Sequence, residues 1–246
     1  MIRKNIYDLF SGLIFVIFFW YLLHFIIDDR IIPNPLNTIT NTINLLFTWG
    51  FLKHILYSSY RLITAVFLAL TMGSLLGILI GLNIRLEKLL YPVIYILFPV
   101  PKAAFMPIIF VLFGLGDSSK IFLIYLILFF QIVVSVHNAV KNIPKEYYIS
   151  AASLGLSKKE LYKHIILPAI IPSILTSLRI CVGIGIAVLF FAETYATKFG
   201  LGYYIMNSWS LINYLNMYSG ILVLSGMGFC LFSVVDVLEK KYVKWK

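Results

Sequence analysis

Charge is what this sequence has least of. Only 12% of its 246 residues are Asp, Glu, Lys or Arg, while 61% are hydrophobic; a soluble domain carries roughly a quarter charged residues. A water-soluble fold of this length could not cover so much apolar surface without large exposed patches, so an aqueous domain is excluded. Cysteine is scarce as well. Cys181 and Cys230 both lie in apolar runs, with neither CxxC nor Cys/His metal spacing around them. That excludes a disulfide framework and a zinc site and leaves two small packing residues. No G-x-x-x-x-G-K-[ST] occurs, so the chain cradles no nucleotide phosphates of its own. HExxH and G-x-S-x-G are absent, and His24, His54, His137 and His164 are scattered, which makes an enzyme the weak reading. There is no fixed-period repeat and no low-complexity segment.

What is abundant is long apolar runs. A hydrocarbon core of about 30 Å needs about 20 apolar residues per helical crossing. Runs near that length cover residues 9–27, 62–82, 89–116, 121–136, 169–192 and 218–238, which predicts an all-α membrane protein with about six transmembrane helices. The first run follows Arg3 and Lys4 as a secretory signal would. It is too long for a signal core, however, and Asp28, Asp29 and Arg30 follow it in place of a small-x-small cleavage site, so it reads as a retained membrane helix. Pro33, Asn34 and Pro35 then break the chain. Residues 37–51 alternate Thr and Asn with Ile, Leu and Phe, the pattern of an amphipathic helix on a membrane surface.

Gly73, Gly77 and Gly81 share one face of the second run and suit close helix packing. The third run is interrupted by Pro92, Pro99, Pro101 and Pro107. Backbone groups freed by proline within lipid need rescue by protein or water, so this span is expected to face the protein interior. Lys102 lies in it beside Pro101, and two roles fit. It could lend positive potential to a translocation path along Pro99 and Pro101, which suits an anionic solute, or it could snorkel or pair structurally. Arg179 is expected to pair near one end of its span and Asp236 to be interfacial; Glu193 is expected to be a solvated acid at a helix end, the alternative being contact with a docked binding protein.

The formal net charge is +10, yet no basic stripe interleaved with aromatics is present, so nucleic acid is not the partner. Of the 20 lysines and arginines, 13 lie in the N-terminal tip, the 83–88 connection, the 137–167 loop and the tail, against 5 on the opposite side. The positive-inside rule therefore puts both termini and that loop in the cytoplasm. The loop itself carries local signals. Pro144 suits the first turn of a helix over 145–154, and Gly155 supplies the positive φ of a helix stop. Ser157 with Glu160 forms a capping box for a second short helix, and Pro168 ends it where the next span begins. The pattern is a helix–turn–helix elbow with small residues, Ala151 and Ala152, on its surface.

Ala151-Ala152-x-x-Gly155 and Leu167-Pro168, twelve residues from glycine to leucine, resemble the "EAA" loop of ABC importer permeases. Residues 99–107, beginning Pro99-Val100-Pro101-Lys102, and the segment Phe113 to Asp117 resemble the third span of the nitrate/sulfonate/taurine-type subgroup. So do Leu178-Arg179, Ala192-Glu193 and Gly200-Leu201-Gly202-Tyr203 farther along. The likeness runs from about Ser58 to Val237. One departure is visible: the motif's leading acid falls on Ile149 and its first alanine on Ser150, with Glu146 one helical turn earlier.

The resemblance implies a type-I ABC importer permease fold, with an N-terminal membrane helix and extracytoplasmic connection over 1–60 and a permease core over 61–246. Its coupling loop would be 137–168, docking on the ATPase through Glu146, Ser150, Ala151, Ala152, Gly155, Leu167 and Pro168. It further implies a prokaryotic inner-membrane protein forming a homodimer. ATPase subunits that hold ATP and Mg would lie below and an extracytoplasmic solute-binding protein above, with no cofactor on this chain. The solute class it implies is small: sulfonates, taurine, nitrate, or a vitamin precursor. The alternative is a secondary transporter run by an ion gradient, for which an internal repeat is expected.

Overall fold

Helices follow where the apolar runs leave the backbone no other hydrogen-bond partners. The computed structural model describes residues 6–28 and 30–243; Arg3, Lys4, Asp29, Lys244 and Lys246 lie outside them. Among the described residues every regular element is helical. The helices α3 (Trp49–Leu82), α6 (Asp117–Lys141), α9 (Leu167–Thr194) and α11 (Tyr214–Tyr242) are long and apolar enough to cross a membrane. The helices α4 (Ile84–Leu97) and α5 (Met106–Phe113) pass the same test only as a pair, bent by 80° at their break, and make a fifth crossing if the pair is one span. The sixth apolar helix is α1 (Ile6–Ile26), at 1.5 Å per residue about 31 Å long; its apolar stretch Phe10–Ile26 is shorter than the other spans.

The second element, α2 (Pro35–Leu46), is shorter than the sequence suggests. Asn34 caps it by accepting the Leu36 N–H at 2.9 Å, and Pro35 occupies its first turn. Its amphipathicity is inside-out. Thr38 and Thr42 are buried, and the Asn41 amide donates to Asn216 Oδ1 and Ser219 Oγ on α11, each at 2.9 Å. Leu36, Ile39, Ile43 and Leu46 face outward. After Phe47 and Thr48 the chain enters α3, which runs unbroken across the expected junction at 60/61.

The core joins α3, α6 and α9, where Leu62, Ala65, Ala69, Leu128, Ile132, Val136, Cys181 and Leu189 form one buried cluster. The glycine stripe lies along the α3–α6 contact. A Cβ at Gly77 would sit 2.9 Å from both the Val133 carbonyl oxygen and Val136 Cβ, and one at Gly81 2.8 Å from Val140 Cβ. At Gly73 the nearest atom, Ile132 Cγ2, is 3.0 Å away. Overpacking of this kind costs about 1–3 kcal/mol. Gly77→Ala and Gly81→Ala are thus expected to lower the melting temperature of the detergent-solubilised chain, and Gly73→Ala to lower it least.

The proline-broken span departs from expectation. Its α4 and α5 halves leave Tyr95 71%, Ile96 68%, Val111 85% and Leu112 71% exposed within the single chain, so burial does not rescue the break. Lys102 does. Its ammonium donates to the carbonyls of Leu97 and Phe98, each at 2.7 Å, and of Val100 at 3.2 Å, and lies 4.5 Å from the centre of the Phe130 ring. Leu97 and Phe98 stand at the end of α4, where helix carbonyls run out of intrahelical donors, although the Leu97 carbonyl also accepts the Val100 N–H at 3.3 Å; a cation there also offsets the helix dipole.

Candidate functional site

The elbow is built from local rules. After Pro144, α7 (Lys145–Ser153) buries Ala151 and partly buries Tyr148, which packs on the core together with Leu161. It stops at Gly155, whose φ is +67°. There the N–H groups of Leu154, Gly155 and Leu156 return to the carbonyls of Ser150, Ala152 and Ala151 at 3.0–3.1 Å. Ser157 then opens α8 (Lys158–Leu161). Its N–H donates to Glu160 Oε2 at 2.9 Å, while Glu160 N–H reaches Ser157 Oγ at 3.4 Å, closing the capping box. Pro168 has no N–H to give the His164 carbonyl, and its ring crowds that turn. The chain widens into a π-helical segment, Tyr162–Ile166, with Leu167 N–H reaching back to the Tyr162 carbonyl. From Lys158 to Thr194 the helix is otherwise continuous. A cavity of about 310 Å³ lies between the elbow and the start of α9, lined by Tyr147, Ser150, His164, Ile165, Pro168 and Ala169. Glu146, Ser150 and Ala152 are exposed.

Glu160 is held below the ordinary carboxylate range by the Ser157 side chain first and the Ser157 N–H second. A depressed carboxyl contributes stability that is complete above its ordinary pKa and disappears as pH falls through the depressed value. The protection of the amides over residues 157–161, taken relative to an unstructured peptide at the same pH, should therefore fall on acidification through that window. Ser157→Ala, lacking the side-chain partner, should show raised exchange already at neutral pH.

The elbow links the end of α6 to the start of α9, which pack side by side. At their far ends lies a buried ionic cluster that the sequence did not reveal. Glu193 is fully buried, not solvated. Arg61 Nη1 donates to Glu193 Oε1 at 2.6 Å and to the Phe199 carbonyl at 2.8 Å, and Arg61 Nη2 lies 2.6 Å from Asp117 Oδ1. Ser58 Oγ donates to the same carboxylate at 2.8–2.9 Å and accepts the Leu201 N–H at 2.7 Å. Gly202 N–H donates to Glu193 Oε2 at 2.9 Å. The acid is buried because it holds the 195–200 connection down and caps α10 (Leu201–Ser210), itself absent from the sequence reading. Lys120, 1% exposed, donates to the Leu115 and Gly116 carbonyls. Arg61, Lys120, Asp117 and Glu193 carry formal charges that cancel. The signal available beforehand was an arginine and a glutamate inside apolar surroundings, each needing a partner. At the elbow end, Arg179 pairs with Asp236 and, at 3.1 Å, with Glu239 of α11.

The model of the family described as binding-protein-dependent transport system inner membrane component matches residues 69–244. The chain belongs to that family. It is a type-I ABC importer permease, a multi-pass protein of the inner membrane. It is 31% identical over 225 residues to the taurine transport system permease protein TauC of Escherichia coli, covering 89% of this chain and 82% of that one. To the putative aliphatic sulfonates transport permease protein SsuC of Bacillus subtilis it is 28% identical, covering 90% and 80%. Among solved structures, an inward-facing MetNI methionine ABC transporter chain is similar in fold, with a TM-score of 0.65 at 17% identity, covering 79% of this permease and 97% of that chain.

Proposed function

We propose that this permease forms the translocation path for a small solute of the sulfonate, taurine or nitrate type, or a vitamin precursor, and couples it to ATP hydrolysis on a separate subunit. The elbow carries this reading. It is a compact helix–turn–helix on the basic side of the chain, seated on the core and continuous with α9. The relatives' names supply the solute class. In this reading both termini and the elbow are cytoplasmic, as the basic residues favour. Two copies pair across the exposed faces of α4 and α5, two ATPase subunits receive the elbows, and a solute-binding protein docks at the end where α10 lies. ATP and Mg belong to the ATPase; this chain has no nucleotide loop.

The path is assigned to the broken span at Pro99, Pro101 and Lys102. Three carbonyls occupy the three N–H groups of Lys102, so its contribution there is positive potential and a fixed bend, not a bond to solute. If Lys102→Gln leaves both uptake rate and preference for anionic solutes unchanged, this assignment falls.

The test of the whole reading is purification of the tagged chain from its own membranes. An ATP-hydrolysing subunit is expected to co-elute, and taurine or sulfonate uptake to stop when that subunit's nucleotide site is disabled. Uptake that persists without it and collapses with the proton gradient would instead mean an ion-driven transporter.

A further inference from the structure

We infer that the elbow engages its ATPase through an apolar knob ringed by lysines, so that the receiving cleft is apolar at its floor and acidic at its rim. The inference rests on the proposed function, since it names the chemistry of that partner.

Large exposed apolar side chains are unremarkable on the spans, where lipid covers them. The elbow lies outside the spans, yet Tyr147 is 51%, Ile149 65% and Leu154 76% exposed. Their placement is ordered. α7 turns Ala151 and Tyr148 toward the bundle, and residues one helical turn apart share a face. Ile149 therefore lies with Glu146 and Ser153 on the side away from the bundle. Leu154 is held at the tip by its N–H bond to the Ser150 carbonyl and by the left-handed Gly155 beside it. Among the described residues both side chains are left largely uncovered. An isoleucine and a leucine exposed on an elbow outside the spans are side chains that gain by burial against a partner.

The charges around them have one prevailing sign. Lys145, Lys158, Lys159 and Lys163 are exposed, against Glu146 and Glu160. Glu160 is already engaged by Ser157 in the capping box, which leaves Glu146 as the elbow's one acid without such a bond among these. A complementary surface is thus apolar where Ile149 and Leu154 enter and negative where α8 faces it. A lipid surface would also accept lysines with apolar side chains. It is the poorer fit, because the apolar pair belongs to α7 and its tip while most of the lysines belong to the start of the continuous helix over 158–194, so the two do not form one amphipathic helix face.

Salt distinguishes the parts of this surface, since apolar burial survives it and rim charges are screened. The tagged chain is purified with its co-eluting subunit, identified by ATP hydrolysis, and washed over a series of salt concentrations. Wild type and Ile149→Val should retain the subunit at high salt. Ile149→Asp should weaken its affinity roughly tenfold to a hundredfold at every salt; the site is exposed, so the chain itself should melt as wild type. Lys158→Glu with Lys159→Glu should weaken retention at low salt, and the deficit should close as salt rises. A wild-type complex that dissociates at high salt, or Ile149→Asp retaining the subunit fully, overturns the knob. So does Ile149→Trp whose emission is quenched by brominated lipid in the assembled complex, which would place α7 on the membrane. If no ATP-hydrolysing subunit co-elutes with wild type at any salt, the proposed function fails instead.

Discussion

Arg61→Leu is expected to yield a chain that aggregates on extraction from the membrane, whereas Glu193→Gln is expected to remain soluble in detergent with a lowered melting temperature. The two changes look comparable on paper, since each breaks the same 2.6 Å contact. They differ in what is left behind. Without Arg61, Glu193 remains fully buried with only Ser58 Oγ and the Gly202 N–H to stabilise its charge, and Asp117 loses both guanidinium contacts. Removing one partner of a buried ion pair costs about 3–5 kcal/mol, a large share of the roughly 5–15 kcal/mol that holds a domain together. Glutamine at 193 still accepts from Ser58 and Gly202, and Arg61 keeps Asp117 and the Phe199 carbonyl. Arg61→Lys should fall between, because one ammonium cannot span the three acceptors that the planar guanidinium reaches at once. Gly200→Ala should resemble Arg61→Leu more than Glu193→Gln. Gly200 has φ +149°, and a Cβ there would fall 2.5 Å from Glu193 Cδ. The measurements are the monodisperse fraction on size exclusion and the thermal midpoint in detergent. Equal behaviour of all four variants and wild type would return Glu193 to a solvated helix end.

That cluster marks where sequence reading stopped. The spans were legible because lipid imposes length and composition residue by residue, and the elbow was legible because its caps act within three or four residues. Ser157 with Glu160 and the positive φ of Gly155 needed no knowledge of the rest of the chain. The pairing of Arg61 with Glu193, 132 residues away, is instead fixed by how α3 and α9 pack, and nothing local announces it. The same holds for α2. Its Thr and Asn alternation reads as a polar face for water, but Asn216 and Ser219 on α11 claim that face and turn the apolar one outward. α10 escaped because Tyr, Asn, Ser and Trp within ten residues give neither span length nor a clean period. Lys102 was legible as a charge needing a partner, but only the geometry of the break shows that its partners are backbone carbonyls at and just beyond the end of α4.

If the elbow docks on an ATPase subunit as proposed, substitutions at adjacent alanines should separate two ways of losing that subunit. Ala151 is 3% exposed and Ala152 is exposed. Ala151→Glu forces a carboxylate against the bundle at a penalty of several kcal/mol, so α7 should lift off its seat, amide exchange over residues 145–161 should rise, and the ATPase should no longer co-elute. Ala152→Glu adds the same charge on an open surface; exchange should stay at the wild-type level while retention of the subunit falls, because the flat docking face is now occupied. Gly155 tests the turn between them. A Cβ there meets nothing within 4 Å, so the cost of substitution is conformational alone. Asn, which tolerates the left-handed region, should be nearly silent and Asp mild. Val should cost about 1–2 kcal/mol or more, enough to cut the population of the docked elbow roughly tenfold. A graded loss in the order Asn, Asp, Val would tie docking to the left-handed turn itself. Retention of the ATPase by Gly155→Val and by Ala152→Glu alike would mean that the subunit is held elsewhere on the chain and that the elbow is an ordinary linker.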